Sequence, residues 1–351
     1  MKPFSLSSRR VFLGQLFGGA VTFGAMSGDA RAKHSRPESA SGNKKFVPVM
    51  LTPFTHSLDV DFDGLSRLVD FYLACGARGF FANCASSEMY ALTNDERIAI
   101  VSHVVKRVAG KCPIVATGSF GDTIEERAEF TRRMYDTGID AVILITSHFA
   151  SPDEGDDVLL RNLEKYLSLT GSIPLGTYEC PSPYKRLLTP EALRSLVSTR
   201  RFVYHKDTAL DLEKIRPKLD VIRGSALEFY DAHTPNTLYS LRMGAKGMSC
   251  IAGNFYPEVF AWMCSHFSLP ERHDDVEWLQ SELTRADRII SSGYSLSAKY
   301  FLKQRGLDIN VNSRRKRAPL TPEECKGLNK LSEDLRFWHD RLGITVPDFK
   351  P

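Results

Sequence analysis

The 351-residue chain has seven cysteines but no CxxC pair and no Cys/His set at metal-ligand spacing. That absence removes the zinc-ribbon and dithiol-redox readings and signals no metal site. Charge of one sign is also missing. The formal net charge is only +4, and residues 1–32 hold four basic residues against one acidic one. Without that segment the chain is nearly neutral, which leaves no nucleic-acid or membrane-surface footprint, and Ser313-Arg-Arg-Lys-Arg317 reads as a solvated loop. A glycine-rich phosphate turn is lacking too: the first apolar run ends in Leu51-Thr-Pro-Phe54, so a doubly wound nucleotide-binding sheet loses its main support.

At the N-terminus the competing readings are a chance basic segment and an uncleaved anchor, and the anchor is weakened by residues 11–27, an apolar run that is short and glycine-rich for a spanning helix. They follow Ser8-Arg9-Arg10-Val11-Phe12-Leu13, which resembles a twin-arginine consensus, and precede Ala30-Arg31-Ala32. Residues 1–32 therefore read as a signal peptide cleaved after Ala32, handed to the twin-arginine translocation machinery and giving an exported, periplasmic protein. Export by such a route resembles that of proteins folded beforehand in the reducing cytosol, so the fold needs no disulfide and mostly buried thiols are expected. Residues 33–45, polar with Ser, Lys, Pro and Gly, read as a linker.

What is present is an alternation of short apolar runs and amphipathic segments. The runs are 46–51, 79–83, 113–118, 141–146, 174–178, 202–206, 221–225 and 247–251. Between them lie helix starts such as Thr93-Asn-Asp-Glu96 and Thr123-Ile-Glu-Glu126, both capping boxes. Eight such units over residues 46–254 predict an α/β fold of the closed (β/α)8, or TIM-barrel, kind, and residues 255–351 predict a C-terminal helical extension.

Barrels of this kind carry their chemistry at the carboxyl ends of the strands. There the sequence places Lys206, closing the run Phe202-Val-Tyr-His-Lys206 on the same face as Phe202 and Tyr204. A lysine desolvated among apolar side chains has a lowered pKa and can attack a carbonyl to form an imine, although it could instead snorkel into solvent. Tyr178 ends the fifth run, where a phenol near that amine can move protons during carbinolamine breakdown.

These residues sit in recognisable motifs. Tyr178-Glu-Cys-Pro181, His205-Lys206-Asp207, Gly244-Ala-Lys-Gly247, and Glu88 with Leu92 and Asp95-Glu96 resemble the family of dihydrodipicolinate synthase and N-acetylneuraminate lyase. The likeness runs from about residue 46 through the helical region. It implies a class I aldolase with Lys206 as Schiff-base lysine and Tyr178 as proton shuttle, and it requires no cofactor. It also implies that Ala85-Ser86-Ser87 grips the carboxylate of a 2-keto acid, with Ile251 counted among the substrate-binding positions. A homotetramer or dimer follows from the same resemblance.

The departures limit the substrate. Cys84 and Ala85 replace the family's glycine and first hydroxyl, Ser147-His148-Phe149 lacks a relay tyrosine, and Pro183 stands where the synthase has an arginine. Tyr204 or His148 could supply the missing proton donor; Tyr204 could equally fill the lower barrel and His148 face solvent. Glu179 could add a carboxylate beside Tyr178 or pair with Lys185 or Arg186. The expectation is a lyase joining or splitting a 2-keto acid such as pyruvate and an aldehyde. A dehydratase acting on a 2-keto-3-deoxy sugar acid, and a non-catalytic binding protein for keto or sugar acids, are the alternatives.

Overall fold

The computed structural model describes residues 44–315 and 318–346; the segment read as a signal peptide (1–32), the segment read as a linker up to residue 43, and the last five residues lie outside the described residues. Eight parallel strands are present: β1 (Lys45–Phe46), β2 (Phe80–Phe81), β3 (Ile114–Thr117), β4 (Ala141–Ile145), β5 (Leu175–Tyr178), β6 (Phe202–Asp207), β7 (Glu228–Asp231) and β8 (Gly247–Met248). Their order is β1-β8-β7-β6-β5-β4-β3-β2. The two ends of this sheet meet where Val49 bridges Phe81. There Met50 N–H donates to the Phe81 carbonyl and Phe81 N–H to the Pro48 carbonyl, each at 3.0 Å. The chain just past β1 thus closes a (β/α)8 barrel, which leaves no free sheet edge.

Helices α1 (Phe62–Ala74), α2 (Asn94–Val108), α3 (Ile124–Tyr135), α4 (Asp156–Leu169), α5 (Pro190–Ser198), α6 (Leu212–Ile222) and α7 (Thr237–Met243) connect the strands. The capping boxes read in the sequence form at α2 and α3: Thr93 and Thr123 accept from the N–H of Glu96 and Glu126, whose carboxylates accept from the cap N–H in return. The helical extension is α8 (Pro257–His266), α9 (His273–Ser291), α10 (Leu296–Gln304) and α11 (Pro322–Leu342). All seven cysteines are free thiols, five of them buried.

Two strands differ from their expected places. β1 begins one residue early, at Lys45, whose ammonium is 2.7 Å from Glu228 of β7. The seventh run, 221–225, is no strand. Val221 and Ile222 end α6, whose buried face is Ile215, Lys218, Leu219 and Ile222, a helical repeat that continues the apolar pair. The seventh strand is Glu-Phe-Tyr-Asp at 228–231, and its charged ends hid it from a search for apolar runs.

The β5–β6 pairing carries a register shift between Leu175 and Gly176, after which Gly176 pairs with Tyr204. A Cβ at Gly176 would lie 2.4 Å from Ile143 Cδ1 and 2.8 Å from both Cβ and the carbonyl oxygen of Tyr204. The bare backbone therefore lets the Tyr204 strand approach. Gly176→Ala is expected to lower unfolding free energy by about 1–3 kcal/mol, an overpacking cost. Urea denaturation reads it, and an unchanged midpoint would remove this account of the register shift.

Candidate active site

The β5–β6 ladder pairs Tyr178 with Lys206 directly. Neighbours in register on parallel strands point the same way, so both side chains enter the barrel mouth together. Lys206 Nζ lies 4.4 Å from the Tyr178 ring centroid and 5.6 Å from that of Phe81. Phe81 meets Tyr178 and Tyr204 edge-on, with centroids 5.5 and 6.0 Å away.

Three lysines are buried among the described residues: Lys206, Lys218 and Lys299. Lys218 Nζ lies 2.5 Å from Glu179 and 2.6 Å from Asp207. Lys299 Nζ lies 3.3 Å from Glu88 and 2.7 Å from the Asn312 carbonyl. Lys206, only 4 % exposed, has no hydrogen-bond acceptor or carboxylate partner among the described residues. Its neighbours are aromatic faces and the thiols of Cys84, Cys180 and Cys250. Desolvation therefore lowers its pKa. Burial drives the Tyr178 phenol the other way, well above its ordinary value, so it stands as an O–H donor; it also interacts with the Cys180 thiol.

The residues flanking this pair point outward, behind the barrel wall. Glu179 is not free beside Tyr178, nor does it pair with Lys185 or Arg186. Its carboxylate accepts from Leu188 N–H at 2.8 Å, Thr208 N–H at 3.0 Å and Lys218, while Arg186 pairs with Asp156. Strand alternation explains this, since the residue after an inward Tyr178 must face out. His205 Nδ1 lies 2.8 Å from Thr177 Oγ1, and its Nε2 is 3.7 Å from both carboxylates. Donor atoms of Glu179, His205 and Asp207 lie within 4.8 Å of one another, a spacing open to a metal ion. In this arrangement the Lys218 ammonium occupies the position between the two carboxylates. Burial alone would raise Asp207, but His205 and Lys218 hold it below the ordinary carboxylate range. Burial alone would lower Lys218, and the two carboxylates raise it instead.

The turn Ala85–Ser87, expected to grip a carboxylate, holds its two hydroxyls differently. Ser87 Oγ donates to the Met50 carbonyl at 2.7 Å and accepts from Cys84 N–H at 3.1 Å, so it braces the turn from below. Ser86 is buried, and its side chain interacts with the hydroxyl of Tyr294. The Ala85 carbonyl accepts from the Arg315 guanidinium. Ile251 opens the turn after β8, Ile251–Asn254, and is partly exposed.

Tyr204 is a core residue: it stacks on Tyr230 at 4.5 Å and donates to Ser249 Oγ at 3.2 Å. The His148 ring holds Nδ1 2.6 Å from the Ser119 carbonyl and packs against Phe120. Burial pushes its pKa down to about 4. Its contacts are thus with the rim rather than with Lys206.

The basic segment near residue 314 is no solvated loop over its described part. Ser313 Oγ and Arg314 N–H donate to Glu88 at 2.8 and 2.9 Å, and Arg314 pairs with Glu96 at 2.7 Å. The helical extension is therefore fastened to the carboxylate turn. Sequence reading missed Lys218, Tyr294 and Arg315, all of which reach the site from distant positions.

With this geometry in view, comparison with known proteins is direct. Residues 43–337 match the model of the dihydrodipicolinate synthetase family, and the chain belongs to that family of aldolases and lyases. It is 25% identical over 289 residues to 4-hydroxy-tetrahydrodipicolinate synthase of Bacillus subtilis, covering 82% of this chain and 97% of that one. It is 27% identical over 217 residues to the enzyme of the same name from Ectopseudomonas mendocina, covering 62% and 72%. Among solved structures, the dihydrodipicolinate synthase of Bacillus anthracis superposes with a TM-score of 0.75 at 22% identity, covering 83% of this chain and 97% of that one. A prophage protein of E. coli K12, crystallised with pyruvate, superposes with a TM-score of 0.75 at 19% identity, covering 84% and 98%.

Asp231, at the end of the strand that the sequence concealed, gives the region a pH response. It is fully buried; its Oδ1 accepts from His233 N–H at 2.8 Å, and its Oδ2 has no hydrogen-bond partner among the described residues. Burial pushes its carboxyl up to about 7; the His233 N–H opposes the rise and the Asp207 charge adds to it. A folded pKa raised above the unfolded value contributes stability that is complete below pH ~4 and lost as pH rises through about 7. Asp231→Asn is expected to gain on the order of 2–4 kcal/mol over the parent at pH 8 and nothing at pH 4. Denaturation at the two pH values checks this, and a gain equal at both would mean Asp231 does not titrate here.

Proposed function

We propose that Lys206 is the Schiff-base nucleophile of a class I lyase or aldolase acting on pyruvate or a related 2-keto acid. The observation that carries this reading is the contrast among the buried lysines: Lys218 and Lys299 are each held by carboxylates, whereas Lys206 meets a phenol in register and no anion. An ammonium left so is costly, so the free amine is favoured.

In this reading the amine nitrogen attacks the keto carbon. The carbinolamine oxygen leaves as water with a proton from Tyr178, and an imine forms. The protonated imine then takes up the electron pair of the breaking carbon–carbon bond as the substrate hydroxyl returns a proton to the Tyr178 phenolate; the aldehyde departs, and the enamine is protonated at carbon and hydrolysed by water to the keto acid and the free amine. Synthesis is the same path reversed. Ser86 and the backbone N–H groups of its turn face the substrate carboxylate. Pro183 in the loop after β5, and Ser147-His148-Phe149 after β4, argue against dipicolinate synthesis itself and for a different aldehyde. Export rests on the Ser8–Leu13 motif, and a homodimer or tetramer on the family resemblance.

Incubating the mature protein with pyruvate and borohydride is expected to add one reduced pyruvyl group at Lys206, read by peptide mass spectrometry, and none in Lys206→Ala. An adduct that survives in the variant or maps to another lysine would end this assignment.

A further inference from the structure

Tyr294 lies in the connection between α9 and α10, far in sequence from every strand end, yet its hydroxyl meets Asn254 in the turn after β8 and Ser86 in the turn after β2. Asn254, in the turn after β8, fixes how that phenol is oriented. The Asn254 Nδ2 group donates to the Val49 carbonyl at 2.9 Å and to the Tyr294 hydroxyl oxygen at 2.6 Å, and its Oδ1 accepts from Tyr72. A carbonyl can only accept, so the Val49 bond settles which end of the amide is nitrogen. The Tyr294 oxygen is therefore an acceptor toward Asn254. Its own proton is left for another partner, and the group it faces on the mouth side is the Ser86 hydroxyl.

Burial raises the Tyr294 pKa above its ordinary value, so the phenol remains an O–H donor at neutral pH. On the opposite side of the turn Ala85 has no hydroxyl, Ser87 is committed to Met50 and Cys84, and the Arg315 guanidinium donates one of its N–H groups to the Ala85 carbonyl. A carboxylate seated at Ser86 needs donors for two oxygens, and besides the backbone N–H groups of the turn the barrel strands supply one side-chain hydroxyl at that point.

We infer that Tyr294 is a carboxylate-binding residue of the site, a donor supplied by the helical extension in place of the hydroxyl absent at Ala85. This rests on the keto acid reading proposed above. The phenol donates to one carboxylate oxygen while Ser86 donates to the other, and Asn254 holds the phenol in that orientation whether or not a ligand is bound. Its place is at the anionic end of the substrate, so it acts on binding and on selection of acids over neutral carbonyl compounds, and not on proton transfer at the reacting carbon.

Tyr294→Phe keeps the ring and removes only the hydroxyl. Two ligands separate its role from that of Lys206: pyruvate, which can form an imine, and oxamate, a pyruvate-shaped acid whose amide carbonyl does not. In the variant, oxamate affinity by titration calorimetry and the pyruvate concentration giving half-maximal borohydride-trapped adduct are both expected to weaken about 10- to 100-fold, the range for one charge-assisted hydrogen bond. The trapping rate at saturating pyruvate should stay within about threefold of the parent, since the reacting carbon is untouched. Pyruvamide, which lacks the charge, should trap equally well in both proteins. Unchanged oxamate affinity, an equal loss for pyruvate and pyruvamide, a loss confined to the saturated rate, or no oxamate binding by the parent would each overturn the assignment. Failure of the parent to trap any keto acid would instead remove the imine reading, and the oxamate arm would still decide the role of Tyr294.

Discussion

The Lys218 ammonium, clamped between Glu179 of the β5 end and Asp207 of the β6 end, is the contact on which the geometry of the mouth depends. Each of these carboxylates directly follows a residue whose side chain points inward: Tyr178 in one strand, Lys206 in the other. Fixing the outward residues fixes the inward ones, because a strand cannot rotate one side chain without its neighbours. Glu179 also takes the N–H groups of Leu188 and Thr208, so the loops leaving both strands share the same anchor. Breaking such a buried pair from one side costs about 3–5 kcal/mol, which makes the cluster a stiff support for a pair of side chains that do not hydrogen-bond to each other.

A second constraint comes from the far end of the chain. Glu88 stands in a left-handed conformation, φ 59°, at the end of the carboxylate turn. Its carboxylate gathers Lys299 and Ser295 from α10 and its cap, and Ser313 with Arg314 from the segment before α11. The extension is therefore part of the site's construction and not an ornament on a finished barrel. The same attachment that turns Glu88 away from the mouth brings Tyr294 and Arg315 to it.

How much of this could be read beforehand follows from what kind of signal each feature leaves. Lys206 and Tyr178 were legible because a lysine and a tyrosine at the ends of apolar runs break a local pattern, and barrel geometry assigns strand ends to chemistry. The capping boxes were legible because each is a local motif of four residues. β7 was hidden because Glu228 and Asp231 bracket only two aromatic residues, while the apolar end of α6 nearby looked more strand-like. Tyr294 and Arg315 leave no local mark, and Lys218 leaves only a charge in the apolar stripe of α6. They matter through contacts that lie apart in sequence, 11 positions for Lys218 with Asp207, 39 for Lys218 with Glu179 and 230 for Arg315 with Ala85, and no motif encodes such contacts. Glu179 was misread because its neighbours in sequence, Lys185 and Arg186, offered an obvious pairing that the strand's alternation forbids.

The surroundings of Lys206 carry one more consequence. A wall of Phe81, Tyr178 and thiols favours the neutral amine before reaction, but it would equally disfavour the protonated imine that the proposed chemistry must pass through. No protein carboxylate among the described residues stands ready to balance that cation. The balancing charge must then arrive with the substrate, as the carboxylate of a 2-keto acid held a bond or two from the imine carbon. On this argument the selectivity for acids is built into the absence of a counter-ion: a neutral ketone could meet the amine but would leave its iminium unpaired in a low-dielectric pocket, whereas an acid brings the charge that makes the intermediate tolerable. The hydroxyl groups at Ser86 and Tyr294 fit that arrangement, since a hydroxyl donor orients a carboxylate without neutralising it, while the Arg315 guanidinium meets the turn at the Ala85 carbonyl.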